Sequence, residues 1–128
     1  SRGLGDVYKR QVRGNTSKKI VEMVRKQGAK NVYFASAAPP VRYQNVYGID
    51  MPATKELVAH GKTVEEVRHF IGADELIYQD IEDLRMAAHI GNTNITSFED
   101  SVFTGEYRAG KISEEYLSRL ENNRSSKE

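Results

Sequence analysis

The feature that most constrains the fold is a short apolar run that follows an amphipathic helical pattern. The run covers residues 31–38, Asn-Val-Tyr-Phe-Ala-Ser-Ala-Ala, and lies between Gly28 and the pair Pro39-Pro40. Its length, its β-forming residues and its flanking breakers predict a buried strand. A helix followed by a buried strand is half of a strand–helix–strand unit, so the sequence predicts an α/β fold with a parallel sheet.

The helix before this strand is predicted over about residues 17–27. Ile20, Val21 and Val24 fall on one side of the pattern and charged residues on the other, which is typical of a helix with one buried face. Gly28 is the usual C-terminal stop. The loop that leads into this helix is short and polar, and it contains a glycine.

Two interpretations of the start of this helix are open. In the first it is an ordinary capped helix, because Asn15, Thr16 and Ser17 can each accept a backbone hydrogen bond through a side-chain oxygen. In the second it binds phosphate, because a helix N-terminus presents unpaired N–H groups and the positive end of the dipole. Gly14 would then let the backbone approach the anion closely.

The rest of the chain continues to alternate between helices and strands. The expected elements are a short strand or extended segment at 46–52, a helix from Thr54 to His60, a helix capped by Thr63 and Glu66, a strand at 74–79, a helix over 81–89 capped by Asp80, an irregular or strand-like stretch at 97–107 and a terminal helix over 113–120. Asp50 follows the extended segment in a loop with Gly48. It is a possible ligand-facing residue, because open α/β sheets bind ligands beyond their strand ends.

Composition narrows the functional classes. A single domain of 128 residues with a net charge of +1 gives no electrostatic case for nucleic acid or an anionic membrane as partner. The absence of cysteine excludes disulfides and thiolate metal sites within the chain. His60, His69 and His89 fall on separate predicted helices without metal-ligand spacing, so no metal site is predicted. No apolar run approaches the roughly 20 residues of a membrane span, and we expect a soluble, cytoplasmic protein.

Several segments, collinear over about residues 12–123, carry a resemblance to a known family. They are Val-Arg-Gly-Asn-Thr-Ser at 12–17, the stretches 29–40 and 45–52, and the shorter stretches 57–61, 71–74, 76–80 and 103–107. Together they resemble the C-terminal part of the amidophosphoribosyltransferases, the glutamine phosphoribosylpyrophosphate amidotransferases of purine synthesis.

The resemblance implies the C-terminal part of a type I phosphoribosyltransferase domain over 12–123, a parallel sheet flanked by helices, with further helices after it and a polar tail at 124–128. It implies an enzyme, a pentosyltransferase that makes 5-phosphoribosylamine from phosphoribosylpyrophosphate and glutamine-derived ammonia in the first committed step of de novo purine biosynthesis. It also implies a glutaminase domain elsewhere in the polypeptide, magnesium as cofactor and a homo-oligomer.

The resemblance further implies that the loop wraps the 5-phosphate, which agrees with the second interpretation of the helix start. The residues concerned are Arg13, Gly14, Asn15, Thr16 and Ser17. Immediately upstream the chain departs from the family. Where the family has Asp-Asp-Ser-Ile, residues 8–11 are Tyr-Lys-Arg-Gln, so the acidic pair that addresses the ribose hydroxyls and magnesium is missing. We therefore expect no catalytic residue and no magnesium ligand in this chain.

Two further departures concern a second cofactor and the N-terminus. Glu99 and Val102 stand where some family members have the Cys-x-x-Cys of an iron–sulfur cluster, so no cluster is expected. Residues 1–11 are expected to be a non-native leader, because residues 6–11 look like a translated transposon adapter from a DNA sequencing library. A genuine N-terminal tail is the alternative.

Three hypotheses on function follow. The first is an inactive fragment of an amidophosphoribosyltransferase. The second is another phosphoribosyltransferase, or a regulator that binds phosphoribosylpyrophosphate, sharing only the phosphate loop. The third is a non-enzymatic phosphate-binding domain.

Overall fold

The computed structural model describes residues 14–49, 51, 53–108, 110 and 112–125. The elements in chain order are helix α1 (Asn15–Lys26), strand β1 (Tyr33–Ser36), a 3₁₀ turn (Thr54–Glu56), helix α2 (Val64–Ile71), strand β2 (Glu75–Tyr78), helix α3 (Ile81–His89), the short helix α4 (Ser101–Thr104) and helix α5 (Glu114–Ser125). The expected leader at 1–11 lies outside the described residues, as does most of the expected tail at 124–128.

The two strands pair in parallel, as the sequence predicted. Phe34 lies opposite Leu76, and Ser36 lies opposite Tyr78. Parallel neighbours require a crossover connection, which residues 37–74 provide and which contains α2. Because side chains alternate between the two faces of a strand, these four residues share the face on which the helices pack.

The core lies between this face of the sheet and the two helices α1 and α2. Its buried members are Val21, Val32, Ala59, Val67, Ile71, Ala73 and Leu76. Val21 comes from α1, so the prediction that this helix packs on the sheet is confirmed. Val67 and Ile71 are four residues apart on α2 and therefore lie on one side of that helix.

An ion pair holds the strand starts together, at the end of the sheet where α1 finishes. The Asp74 carboxylate accepts from the Val32 backbone N–H at 2.7 Å and from the Arg25 guanidinium at 2.8 Å. Arg25 also donates to the Gly72 carbonyl at 2.9 Å. The Val32 hydrogen bond, reinforced by Arg25, lowers the pKa of Asp74. This network ties the C-terminal turn of α1 to the beginnings of both strands.

The predicted caps of α2 and α3 are confirmed. Thr63 Oγ1 accepts from the Glu66 N–H at 3.2 Å, while Glu66 Oε2 accepts from the Thr63 N–H at 2.7 Å, which completes a capping box. Asp80 Oδ1 accepts from the Glu82 N–H at 2.8 Å. Both caps form between residues two or three apart in sequence, so local chemistry alone determines them.

The predicted side-chain cap of α1 is wrong. The helix begins at Asn15, two residues before the expected start, and Gly14 occupies the capping position. Among the described residues no side chain caps the helix through a hydrogen bond there. Since Asn15, Thr16 and Ser17 are already inside the helix, their side-chain oxygens are not placed to cap it.

Three other predicted elements need correction. In the expected extended segment at 46–52, no strand forms in the described residues, because Asn45 Oδ1 accepts from the N–H groups of Tyr47 at 2.8 Å and Ile49 at 3.2 Å. Such an Asx turn uses the donors that a strand would need. The helix expected from Thr54 shortens to one 3₁₀ turn, because Leu57 adopts an extended backbone. The stretch 97–107 contains α4.

Candidate anion-binding site

The start of α1 lies at the carboxyl end of the sheet. Gly14 and Ser17, from the first turn of the helix, line a cavity of about 40 Å³ together with Ser36 and Tyr78, the last residues of the two strands. The remaining wall is apolar and consists of Phe34, Val58, Val67, Ile71 and Leu76. This edge is the side on which open α/β sheets bind ligands.

The helix start presents backbone donors that have no backbone acceptor among the described residues. The first intrahelical bond is donated by the Lys18 N–H to the Gly14 carbonyl at 2.9 Å. The N–H groups of Asn15, Thr16 and Ser17 precede it and have no backbone acceptor among the described residues. The first turn carries no acidic residue that would neutralise the positive end of the dipole. These properties favour a bound anion.

The side chains of this turn point in different directions. Asn15 is exposed, Thr16 is half-buried and Ser17 is only 6% exposed. Ser17 therefore faces the cavity and the core, on the same side of α1 as Val21, while Asn15 faces solvent. Arg13 and Asp50, the other two predicted site residues, lie outside the described residues.

Gly14 has a packing role besides the predicted approach to an anion. Its φ of 72° lies in the left-handed region, which favours glycine. A Cβ atom at this position would lie 2.7 Å from Val58 Cγ2 and 3.1 Å from Phe70 Cε1. The missing side chain therefore makes room for protein atoms, and Gly14 anchors the helix start against Val58 and Phe70.

Two lysines lie near this turn, and both contact the same aromatic ring. Lys18 Nζ lies 5.6 Å from the ring centroid of Phe70, and Lys62 Nζ lies 5.2 Å from the same centroid. Both distances are within the range of cation–π attraction. The sequence analysis assigned no site role to any of these three residues, because the ring and the lysines belong to separate parts of the chain.

Tyr78 is a further residue that the sequence analysis left out of the site. Burial raises the pKa of its phenol, so the hydroxyl stays protonated and can donate a hydrogen bond. Its place at the end of β2 follows from the strand register, which a sequence without a known partner strand does not reveal.

The loop after β1 is fixed by reciprocal contacts with the turn at 57–62. Arg42 Nη1 donates to the carbonyls of Ala59 at 3.1 Å and Lys62 at 2.8 Å. His60 Nδ1 lies 2.7 Å from the Arg42 carbonyl oxygen, so this ring nitrogen carries the proton and donates. His60 therefore contributes a loop contact, and the pair holds Lys62 and Val58 close to the start of α1.

A larger cleft, of about 550 Å³, lies between α3 and residues 96–98 and is a weaker candidate for an anion site. Its lining includes Arg85 and Arg108. Arg85 Nε donates to Asp100 at 2.7 Å, and its terminal nitrogens bond Glu82 and Asp100. The two carboxylates balance the charges of the two guanidinium groups, Arg85 and Arg108, which leaves this cleft without the excess positive charge that an anion requires.

The site near α1 does not fit magnesium. The described side chains that line its cavity provide hydroxyl groups and apolar atoms but no carboxylate, and magnesium prefers carboxylate and phosphate oxygens. In the part of the chain that the structure describes, no group of three His, Asp or Glu side chains is arranged to hold a metal ion.

None of the helices in the described part of the chain is long and apolar enough to cross a membrane.

The chain is similar in sequence to amidophosphoribosyltransferases from bacteria and fungi. It is 54% identical to the enzyme of Haemophilus influenzae over 113 residues, 88% of this chain and 22% of the relative. It is 50% identical to the enzyme of Saccharomyces cerevisiae over 115 residues, 90% of this chain and 22% of the relative. The chain thus spans about a fifth of the length of these curated relatives. No family model matches it.

Solved structures agree with the sequence comparison. A structure described as the allosteric regulatory enzyme of purine biosynthesis matches with a TM-score of 0.70 and 34% identity. The match covers 86% of this chain and 24% of the chain in that structure. The glutamine phosphoribosylpyrophosphate amidotransferase from B. subtilis, complexed with ADP and GMP, matches with a TM-score of 0.64 and 36% identity. That match covers 80% of this chain and 23% of the chain in that structure. The parallel strand pair and this agreement in sequence and structure make the chain similar to one segment of the amidophosphoribosyltransferases and to the matching part of their phosphoribosyltransferase fold.

Proposed function

We propose that this chain supplies the 5-phosphate-binding part of an amidophosphoribosyltransferase. The observation that carries the proposal is the start of α1, where the N–H groups of Asn15, Thr16 and Ser17 are free of backbone acceptors among the described residues. A phosphate matches this geometry because its oxygens accept from several N–H groups at once and its charge lies at the positive end of the dipole.

The reaction of the complete enzyme is the transfer of ammonia, released from glutamine, to the anomeric carbon of phosphoribosylpyrophosphate. A carbon–nitrogen bond forms, the bond between that carbon and the pyrophosphate oxygen breaks, and the nitrogen loses a proton to give 5-phosphoribosylamine. The contribution of this chain is to position the substrate. Holding the 5-phosphate at α1 fixes one end of the sugar, which aligns the anomeric carbon for attack by a nucleophile from elsewhere in the enzyme.

The cofactor, the other domain and the assembly of the enzyme are predicted from the resemblance alone. The resemblance implies magnesium, and its ligands are expected outside this chain. A glutaminase domain, a homo-oligomer and a cytoplasmic location are likewise predictions from the resemblance. The chain itself is expected to be inactive in phosphoribosylamine synthesis, because residues 8–11 are Tyr-Lys-Arg-Gln in place of the family's acidic pair and the chain has no cysteine to act as the glutaminase nucleophile.

A chimeric enzyme tests this function. The matching segment of the Haemophilus influenzae amidophosphoribosyltransferase is replaced by residues 12–123 of this chain, and glutamine-dependent turnover is measured at varied phosphoribosylpyrophosphate. We expect the chimera to retain turnover. Introducing Asn15→Asp should raise the KM for phosphoribosylpyrophosphate by about ten-fold or more, because the exposed carboxylate repels the 5-phosphate.

The same substitution at Asn94, an exposed turn residue, is the matched control and should leave the KM unchanged. A negative charge in the first turn favours the helix dipole, so Asn15→Asp should not unfold the protein. A chimera that turns over normally with Asn15→Asp would contradict the proposed site.

A further inference from the structure

Phe70 contacts the anion-binding turn from another part of the chain. It is the second-last residue of α2, and its ring is 38% exposed. The edge of the ring lies where a side chain on Gly14 would be, with Cε1 3.1 Å from the Cβ position. The ring therefore limits how far the start of α1 can move towards α2.

The same ring holds two positive charges. Lys18 lies in the first turn of α1, next to Asn15, Thr16 and Ser17, and Lys62 lies just before α2. Both ammonium groups are within 6 Å of the ring centroid, where the negative face of the ring attracts them. In the described part of the chain neither lysine forms an ion pair with a carboxylate.

We propose that Phe70 is a positioning residue for the anion-binding turn, where it anchors Gly14 and holds Lys18 and Lys62 as a cationic rim beside the N–H groups at the start of α1. The inference rests on the proposed function of that turn. Without the ring the two ammonium groups extend into solvent, the positive potential at the turn falls, and the site holds an anion less tightly.

Phosphate titrations of the 128-residue chain test this role. Inorganic phosphate is added to isotope-labelled protein, and the amide shifts of residues 15–17 give the Kd at low and at high salt. Phe70→Leu should raise the Kd about two- to five-fold at low salt, the loss expected for one exposed cation–π contact. Phe70→Tyr keeps the aromatic face and should bind as the unchanged chain does. The difference should shrink at high salt, because screening weakens the rim.

A double-mutant cycle separates positioning from a merely structural effect. Lys62→Gln should raise the Kd in the unchanged chain but have little further effect in Phe70→Leu, because the ring and the lysine act together. Phe98→Leu, at a half-buried aromatic far from α1 in sequence, is the control and should leave the phosphate Kd unchanged. If Phe70→Leu does not fold, the phosphate Kd of Lys62→Gln is compared with that of the original chain, and this comparison tests the proposal.

The outcomes are distinct. Suppose that the original chain binds phosphate at residues 15–17, but Phe70→Leu or Lys62→Gln does not alter the Kd. This result overturns the role of Phe70 and leaves the proposed function in place. Equal losses from Lys62→Gln with and without the ring also overturn it. No phosphate-dependent shift at those amides in the unchanged chain refutes the proposed function and this inference together.

Discussion

Replacing Gly14 by alanine should destabilise the protein more than the same change at another left-handed glycine. With a φ of 72°, an alanine at position 14 adopts the left-handed conformation, at a cost of about 1–2 kcal/mol. Its Cβ would also lie 2.7 Å and 2.9 Å from Val58 side-chain atoms and 3.1 Å from Phe70 Cε1. Overpacking of this kind costs about 1–3 kcal/mol, so the total loss is about 2–5 kcal/mol.

Gly28 offers a matched control within the same protein. Its φ is 96°, and a Cβ there would meet no atom within 4 Å. Gly28→Ala therefore carries the backbone cost alone, about 1–2 kcal/mol. The difference between the two variants isolates the contact of Gly14 with Val58 and Phe70.

Urea unfolding followed by far-ultraviolet circular dichroism gives the free energy of unfolding of each variant. Equal m-values are required for the comparison, because a changed m-value indicates a changed denatured or native state. If Gly14→Ala and Gly28→Ala lose the same free energy, Gly14 is not packed as described and the anchoring of α1 on Phe70 is wrong.

Three further predictions concern the framework of the site. Thr63→Ala removes half of the capping box of α2 and should lower the free energy of unfolding by about 1 kcal/mol in urea titrations. Leu76→Ala, in the buried core under α1, should lower it by about 2–5 kcal/mol in the same assay. Asp74→Asn should lower the melting temperature at pH 7, because the variant loses its ion pair with Arg25. Since the pKa of Asp74 is lowered from its ordinary 3.8, its stabilisation is present above that value and is lost as the pH falls through the lower, folded-state value, so the melting curves of variant and parent should converge in acid.

Local chemistry explains what could be predicted of the fold from the sequence. The capping box at Thr63 and Glu66 and the cap at Asp80 involve neighbours in sequence, and the structure confirms them. The β1 strand was recognisable because an apolar run stands between strong breakers. Conversely, the Asx turn at Asn45 replaced an expected strand, although an asparagine shortly before Gly48 is a signal that could have indicated a turn.

The candidate site was only partly predictable. The role of Gly14 in phosphate binding stays a prediction, and its proximity to Val58 and Phe70 depends on residues more than 40 positions away, which no local pattern reveals. The burial of Ser17 could have been foreseen, since it stands four residues before Val21 and therefore shares its helix face. The cationic rim could not, because Lys62 reaches α1 only through the tertiary fold.

The central claim is that the start of α1 binds the 5-phosphate of the substrate, and a ligand titration tests it most directly. Ribose 5-phosphate is titrated into the isotope-labelled chain, and the shift of every amide is followed, with ribose as the uncharged control. The account predicts saturable shifts at residues 14–18 that ribose does not produce and that Asn15→Asp abolishes. Shifts that map instead to the cleft between α3 and residues 96–98, or no saturable shift at all, would contradict it.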